Sequence, residues 1–272
     1  MSNEMKEQKG LLESKVMLIP ALILLYLIVL YVVRPFAAGG PAWIILDMNS
    51  VVLALVSAVA FLIVTNRFGW LSTKSGQISA LITLGLLLWT VAETIWFQLE
   101  SIGASPFPSL ADFFYIAGYI PVAIALLLNI RTIHVKFKTT TLILWIALSL
   151  IAFVIIVLID ILPILQGMVN IGDLVGAIYP FEDFVVIVLA LVIVLKFRAG
   201  QVAKAWGLMV VGFIVEALGD IVFLYEENLG LYQTTGPYDI VDLILGFGYV
   251  GILASGLALI STFGARGGRK SA

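Results

Sequence analysis

A chain that returns repeatedly to uninterrupted apolar stretches of about 20 residues has one solvent in which it can fold, because that is the helical length needed to cross the hydrocarbon core of a bilayer. In this sequence such runs fall roughly at 16–33, 42–65, 77–98, 109–130, 139–162, 178–198, 203–225 and 238–262. Hydrophobic residues make up 62% of the 272 residues and charged residues 12%, and the mean hydropathy is +1.14. No soluble domain of that composition could cover itself with polar surface. The expected fold is all-α, a polytopic membrane protein of about eight transmembrane helices. The second run is interrupted by Asp47, Asn49 and Ser50, so its apolar core begins near Val51. Met1–Lys15 is polar and mixed in charge, without a short apolar stretch and small-residue cleavage site, and the first run is expected to be retained as a helix.

Orientation follows from the basic residues. Lys6, Lys9 and Lys15, then Arg67 and Lys74, then Arg131, Lys136 and Lys138, then Lys196, Arg198 and Lys204, and finally Arg266, Arg269 and Lys270 all fall on one side of an eight-span chain; only Arg34 falls on the other. The expectation is a multi-pass protein of the cell (plasma) membrane with both termini cytoplasmic. The acids divide the opposite way. Apart from Glu4, Glu7 and Glu13, every carboxylate maps to an outer connection or to the outer half of a helix. The outer mouth should therefore be strongly electronegative.

The sequence also repeats itself. The stretch LGLLLWTVAETIWF ending at Phe97 aligns with VGFIVEALGDIVFL ending at Leu224, which sets Gly85 against Gly212 and Glu93 against Asp220. The stretch PSLADFFYIAGYI then aligns with YDIVDLILGFGYV, which sets Asp112 against Asp242, Gly118 against Gly248 and Tyr119 against Tyr249. Equivalent positions are four spans apart, so the halves share one orientation and should be related by a pseudo-twofold axis along the membrane normal. The organisation expected is a cytoplasmic tail at 1–15, a first four-helix repeat at 16–130, a basic cytoplasmic connection at 131–138, a second four-helix repeat at 139–262 and a tail at 263–272.

Helical spacing places Trp89, Glu93, Trp96 and Glu100 on one stripe of the third span and stacks Glu216 on Asp220 in the seventh. Asp112, Tyr115 and Tyr119 share a stripe of the fourth span, and Asp242 shares a face with Tyr249 in the eighth. Acids at membrane depth are costly against lipid and normally face the bundle interior or a wet cavity. The expected ligand-binding set is Glu93, Glu216, Asp220, Asp112, Asp242, Trp89, Trp96 and Tyr115, around a central cavity open to the outside. Structural roles stay open beside this one. Glu93, Glu216 and Asp220 could be hydrogen-bonded acids joining helices. Asp112 and Asp242 lie within about one turn of a helix start, where capping accounts for an acid. Tyr179-Pro180 before Glu182 and Asp183 is a normal start signal, and the aromatics suit an interfacial belt.

The runs PSLADFFYIAGYIPVAIALLL, AIYPFEDFVVIVLALVI, GFIVEALGDIVFLY and GPYDIVDLILGFGYVGILASGLAL, in this order across residues 75–262, resemble the multi-pass N-terminal membrane sensor region of bacterial diguanylate cyclases and prokaryotic histidine kinases. The most specific element is Pro108-Ser109 with Asp112, Tyr115, Gly118 and Tyr119. The resemblance implies a sensory role and sets Asp112, Asp183, Asp220 and Asp242 on the acids that recur in the pattern; it implies no ligand. Glu182 and Glu216 depart from it, standing where apolar residues are expected. About ten residues follow the eighth span, so the form expected is stand-alone, without an effector domain.

The leading functional expectation is a sensory or receptor-type membrane protein that binds a small polar or cationic ligand in the acidic cavity and signals to a separate cytoplasmic or membrane partner. The alternative is a cation or cationic-solute transporter that uses the intramembrane carboxylates, for which an all-oxygen cage would suit Ca²⁺ or Mg²⁺; whether a metal binds is left open. An enzyme is not expected. Leu218-Gly219-Asp220 precedes Tyr238-Asp239, the reverse of the order that a two-aspartate intramembrane protease needs, and no phosphate-cradling G-x-x-x-x-G-K occurs. No cofactor is expected: the one histidine, His134, lies in a basic connection, which excludes haem held by intramembrane histidines. Every lysine lies in a tail, in a connection or at a span's cytoplasmic edge, which excludes a retinal Schiff base, and cysteine is absent. The expected partners are the lipid bilayer, the ligand and the signalling partner; no nucleic acid is expected.

Overall fold

The computed structural model describes residues 3–33, 36, 42–132, 139–162, 170–196, 201–232 and 240–264. Among them the chain forms eight long helices: α1 (Asn3–Val33), α2 (Ala42–Arg67), α3 (Lys74–Ser101), α4 (Leu110–Thr132), α5 (Thr139–Ile156), α6 (Ile178–Lys196), α7 (Gln201–Asn228) and α8 (Ile240–Gly264). No strand occurs among the described residues. Seven stretches are long and apolar enough to cross a membrane: Val16–Val33, Met48–Arg67, Lys74–Ser101, Leu110–Thr132, Ile171–Ile193, Val202–Asn228 and Ile240–Thr262. The protein is a polytopic α-helical membrane protein. The remaining run, at 139–162, is helical over Thr139–Ile156 and continues into a π turn at Val157–Ile161; many of its side chains, with Asp160 among them, lie outside the described residues, as do the Asp47 side chain, Asp239 and most of the 131–138 connection.

Two boundaries differ from expectation. Helix α1 begins at Asn3, so the polar segment before the first span is itself helical. The sixth span begins at Ile171, not near 178, because Asn170 and Asp173 form a capping box that starts a short helix, Ile171–Gly176, separated from α6 only by Ala177.

Six helices close a ring in the order α2, α3, α4, α6, α7, α8 and back to α2, with α1 packed outside against α8 and α5 against α6. The neighbours pair off as the sequence repeat pairs the residues: α3 with α4 as α7 with α8, α2 with α3 as α6 with α7, and α2 with α8 as α6 with α4. Small residues set the closest approaches. A Cβ on Gly85 would lie 2.8 Å from the carbonyl oxygen of Gly118, and one on the equivalent Gly212 would lie 2.9 Å from the carbonyl oxygen of Gly248. Both hairpins thus bring backbone against backbone at the same two positions. Phe61, Ile82, Leu86, Leu126, Met209 and Ile252 are fully buried and fill one half of the ring.

Candidate functional site

In the other half, the centre of the ring opens into a cavity of about 760 Å³, counted out to its mouth. Its lining comes from the second halves of α3 and α7 and from the first halves of α2, α4, α6 and α8. Arg67, Lys74, Arg131, Lys196 and Lys204 stand at the opposite ends of these same helices. On α3 the stripe Trp89, Glu93, Trp96 and Glu100 faces the cavity, as its four-and-three spacing requires; on α7 the facing residues are Glu216, Asp220 and Phe223. Helix α4 adds Tyr115 and Tyr119, α8 adds Asp242, Leu245 and Tyr249, and Tyr179 and Ser50 complete the wall. Among the described residues no Lys, Arg or His is part of the lining.

Tyrosines cross the ring to hold the acids. The Tyr249 hydroxyl on α8 donates to Glu93 Oε1 on α3 at 2.7 Å. In the reciprocal contact the Tyr119 hydroxyl on α4 lies 3.1 Å from Asp220 Oδ2 on α7 and 2.6 Å from Asp183 Oδ1 on α6. Because Tyr119 and Tyr249, and Glu93 and Asp220, are the residues that the repeat makes equivalent, the two contacts are copies of one interaction. Trp96 Nε1 donates to Glu100 Oε1 at 2.8 Å, and Trp89 Nε1 donates to the Tyr115 carbonyl at 3.1 Å.

Seven of the expected residues, Glu93, Glu216, Asp220, Asp242, Trp89, Trp96 and Tyr115, therefore meet at one cavity. Asp112 does not, which corrects the expectation. It is buried outside the lining, with Oδ2 accepting from the Ser109 backbone N–H at 2.5 Å and Oδ1 from the Tyr179 hydroxyl at 2.5 Å. The α4 start engages one oxygen as a cap and the Tyr179 hydroxyl of α6 engages the other, which holds this acid behind the cavity wall. Tyr179, Phe223 and Ser50 were not expected there. The only signal for Tyr179 is its place before Pro180, which marks a helix start and gives no direction to the side chain.

Glu216 differs from the other cavity acids whose bonds are described. It is 7% exposed, and its Oε1 has no hydrogen-bond partner. Glu182 Oε2 and Asp183 Oδ2 are likewise buried and unanswered, outside the cavity lining. Leaving a buried acceptor unmet costs about 1 to 3 kcal/mol, and more for a charged group. Among the described residues no group of three or more Asp, Glu or His stands close enough together to hold a metal ion. The aromatic wall is densely built: Trp89 packs edge-on to Tyr119 at 5.0 Å, and Trp96 to Phe223 at 5.6 Å and Tyr115 at 6.2 Å. Comparison with family models, with curated proteins and with solved structures finds no match.

Proposed function

We propose that this is a receptor-type membrane protein that binds a small cationic or polar ligand in the acidic cavity and passes a helix rearrangement to a separate partner. The observation that carries the reading is Glu216: a buried acid on a cavity wall whose described residues include no basic one, with an oxygen left unanswered. Acids below the headgroup level are expensive unless something compensates them, and a bound cation would do so. The resemblance to sensor regions of cyclases and kinases supports a sensory role, and Glu216 and Glu182, the departures from that pattern, are two of the three acids with unanswered oxygens. The basic helix ends support, by the positive-inside rule, a cytoplasmic side there and a cavity mouth that faces outward. Helices that contact one another around the whole ring give a bound ligand a route to the cytoplasmic ends.

Receptor is favoured over transporter by what lies beyond the cavity. There the ring is filled by the large buried side chains named above, and three buried threonines turn back on their own helices: Thr65 to the Phe61 carbonyl at 2.9 Å, Thr83 to that of Ser79 at 2.9 Å and Thr262 to that of Ala258 at 2.7 Å. Ser57 donates across to the Tyr249 carbonyl at 3.3 Å, and Ser255 is the one buried hydroxyl of α2 and α8 without a partner among the described residues, so these groups offer a moving cation no line of free oxygens.

The test uses the amide double variant Glu93→Gln, Asp220→Asn. Purified wild type should melt at a higher temperature in the presence of at least one member of a panel of alkylammonium, alkali and alkaline-earth chlorides, since a ligand bound only to the folded state raises stability by mass action. The double variant should fold and lose that response. If neither protein's melting depends on the cation, the acids only join helices and the receptor cavity is refuted.

A further inference from the structure

The two chemistries of the cavity wall narrow the ligand further. We infer, on the reading that the cavity takes a cation, that its ligand is an organic ammonium with at least one N–H and a short apolar body, and not a metal ion. Glu216 Oε1 is a buried acceptor without a donor. The tyrosine hydroxyls around it are committed: Tyr249 to Glu93, Tyr119 to Asp183 and Asp220, and Tyr179 to Asp112. A bound molecule that answers Glu216 must bring its own donor. An ammonium N–H does so with a charge-assisted bond, whereas a quaternary ammonium has no hydrogen to give.

A metal ion fits the same wall poorly. A hard divalent cation gathers six to eight oxygens at about 2.3–2.6 Å, and among the described residues no three acids stand together in that way. A wall without such a cage suits a cation that carries carbon better than a bare ion. The aromatic residues supply the rest. Trp89 and Trp96 line the α3 side of the cavity, with Phe223 on α7 and Tyr115 on α4 beside them. Indole faces attract an ammonium within about 6 Å and also cover an attached alkyl or aryl group. A ligand with its ammonium at Glu216 and its apolar body against Trp89 and Trp96 satisfies both walls at once.

The experiment titrates the purified full chain in detergent, at constant ionic strength, with n-butylammonium, tetramethylammonium, calcium and neutral n-pentanol. Binding is read by tryptophan fluorescence and by melting temperature. The expected result is a saturable response to n-butylammonium, at least about tenfold weaker binding of tetramethylammonium and none of calcium. Glu216→Gln should weaken n-butylammonium about tenfold or more without lowering the melting temperature of the ligand-free protein. Trp96→Leu, a second variant on the opposite wall, should weaken it too. Equal or tighter binding of tetramethylammonium, or an unchanged response in Glu216→Gln, overturns the assignment. A response to calcium alone overturns the ammonium class and leaves the cationic cavity standing. If n-pentanol gives a saturable response and no cation does, the cationic reading falls with it.

Discussion

The α3–α4 and α7–α8 hairpins are built to one plan and finished differently. In both, a glycine on the first helix meets the backbone of a glycine on the second, and in both the second helix sends a tyrosine across the ring to an acid of the other hairpin. The pocket formed by the second glycine is filled by unlike groups. A Cβ on Gly118 would lie 2.4 Å from the Trp89 indole, and one on Gly248 would lie 2.6 Å from the Glu216 side chain. Trp89 and Glu216 occupy the same position of the repeat. The indole finds an acceptor in the Tyr115 carbonyl, whereas the carboxylate is itself an acceptor and has an unmet oxygen. The acids that open each second helix diverge as well: Asp112 is withdrawn into a cap and a bond to Tyr179, while Asp242 stays on the cavity wall. A shared backbone thus carries an indole at one of these matched positions and an acid with an unmet oxygen at the other, and it is the difference that gives the cavity a direction.

The largest effects should come from the glycine pockets. Gly118→Ala drives a methyl into an indole anchored by a hydrogen bond, and overpacking of that kind costs about 1–3 kcal/mol. Gly248→Ala meets only the end of a flexible glutamate that can swing toward the open cavity, so it should cost clearly less. Comparison of the two melting temperatures in detergent checks this, and equal losses would show that Glu216 is held as firmly as Trp89. Smaller effects should come from the crossing tyrosines. Tyr119→Phe removes a hydroxyl that touches two acids on two helices, whereas Tyr249→Phe takes one of two tyrosine hydroxyls from Glu93, which Tyr115 still serves. The first should cost about 1–2 kcal/mol and the second less. The reverse order would mean that the two contacts are not copies of one interaction in energy.

The α3 stripe was readable because a helix that buries acids in a membrane must point them inward, and the spacing of Trp89, Glu93 and Trp96 leaves one inward face. The equivalence of the hairpins was readable from Gly85, Gly118, Gly212 and Gly248, since only a close approach asks for glycine at matched positions. The fate of Asp112 was not. An acid one turn into a helix satisfies a cap and a cavity equally well on paper, and the outcome turned on Tyr179, whose reach from α6 depends on how the ring closes between α4 and α6. The start of the sixth span was missed for a related reason. Local capping by Asn170 and Asp173 outweighed the Pro180 signal, and nothing in the hydropathy ranks one start over the other.

The account rests on a ligand lying across the two unlike walls, and an experimental structure with a tagged ammonium tests that most directly. Crystals grown with 4-bromobenzylammonium should show the ammonium within hydrogen-bonding distance of Glu216 and the anomalous peak of bromine against Trp89 or Trp96. A bromine peak beside Glu216 with the ammonium turned toward the tryptophans, or a cavity without the ligand at saturating concentration, would contradict it.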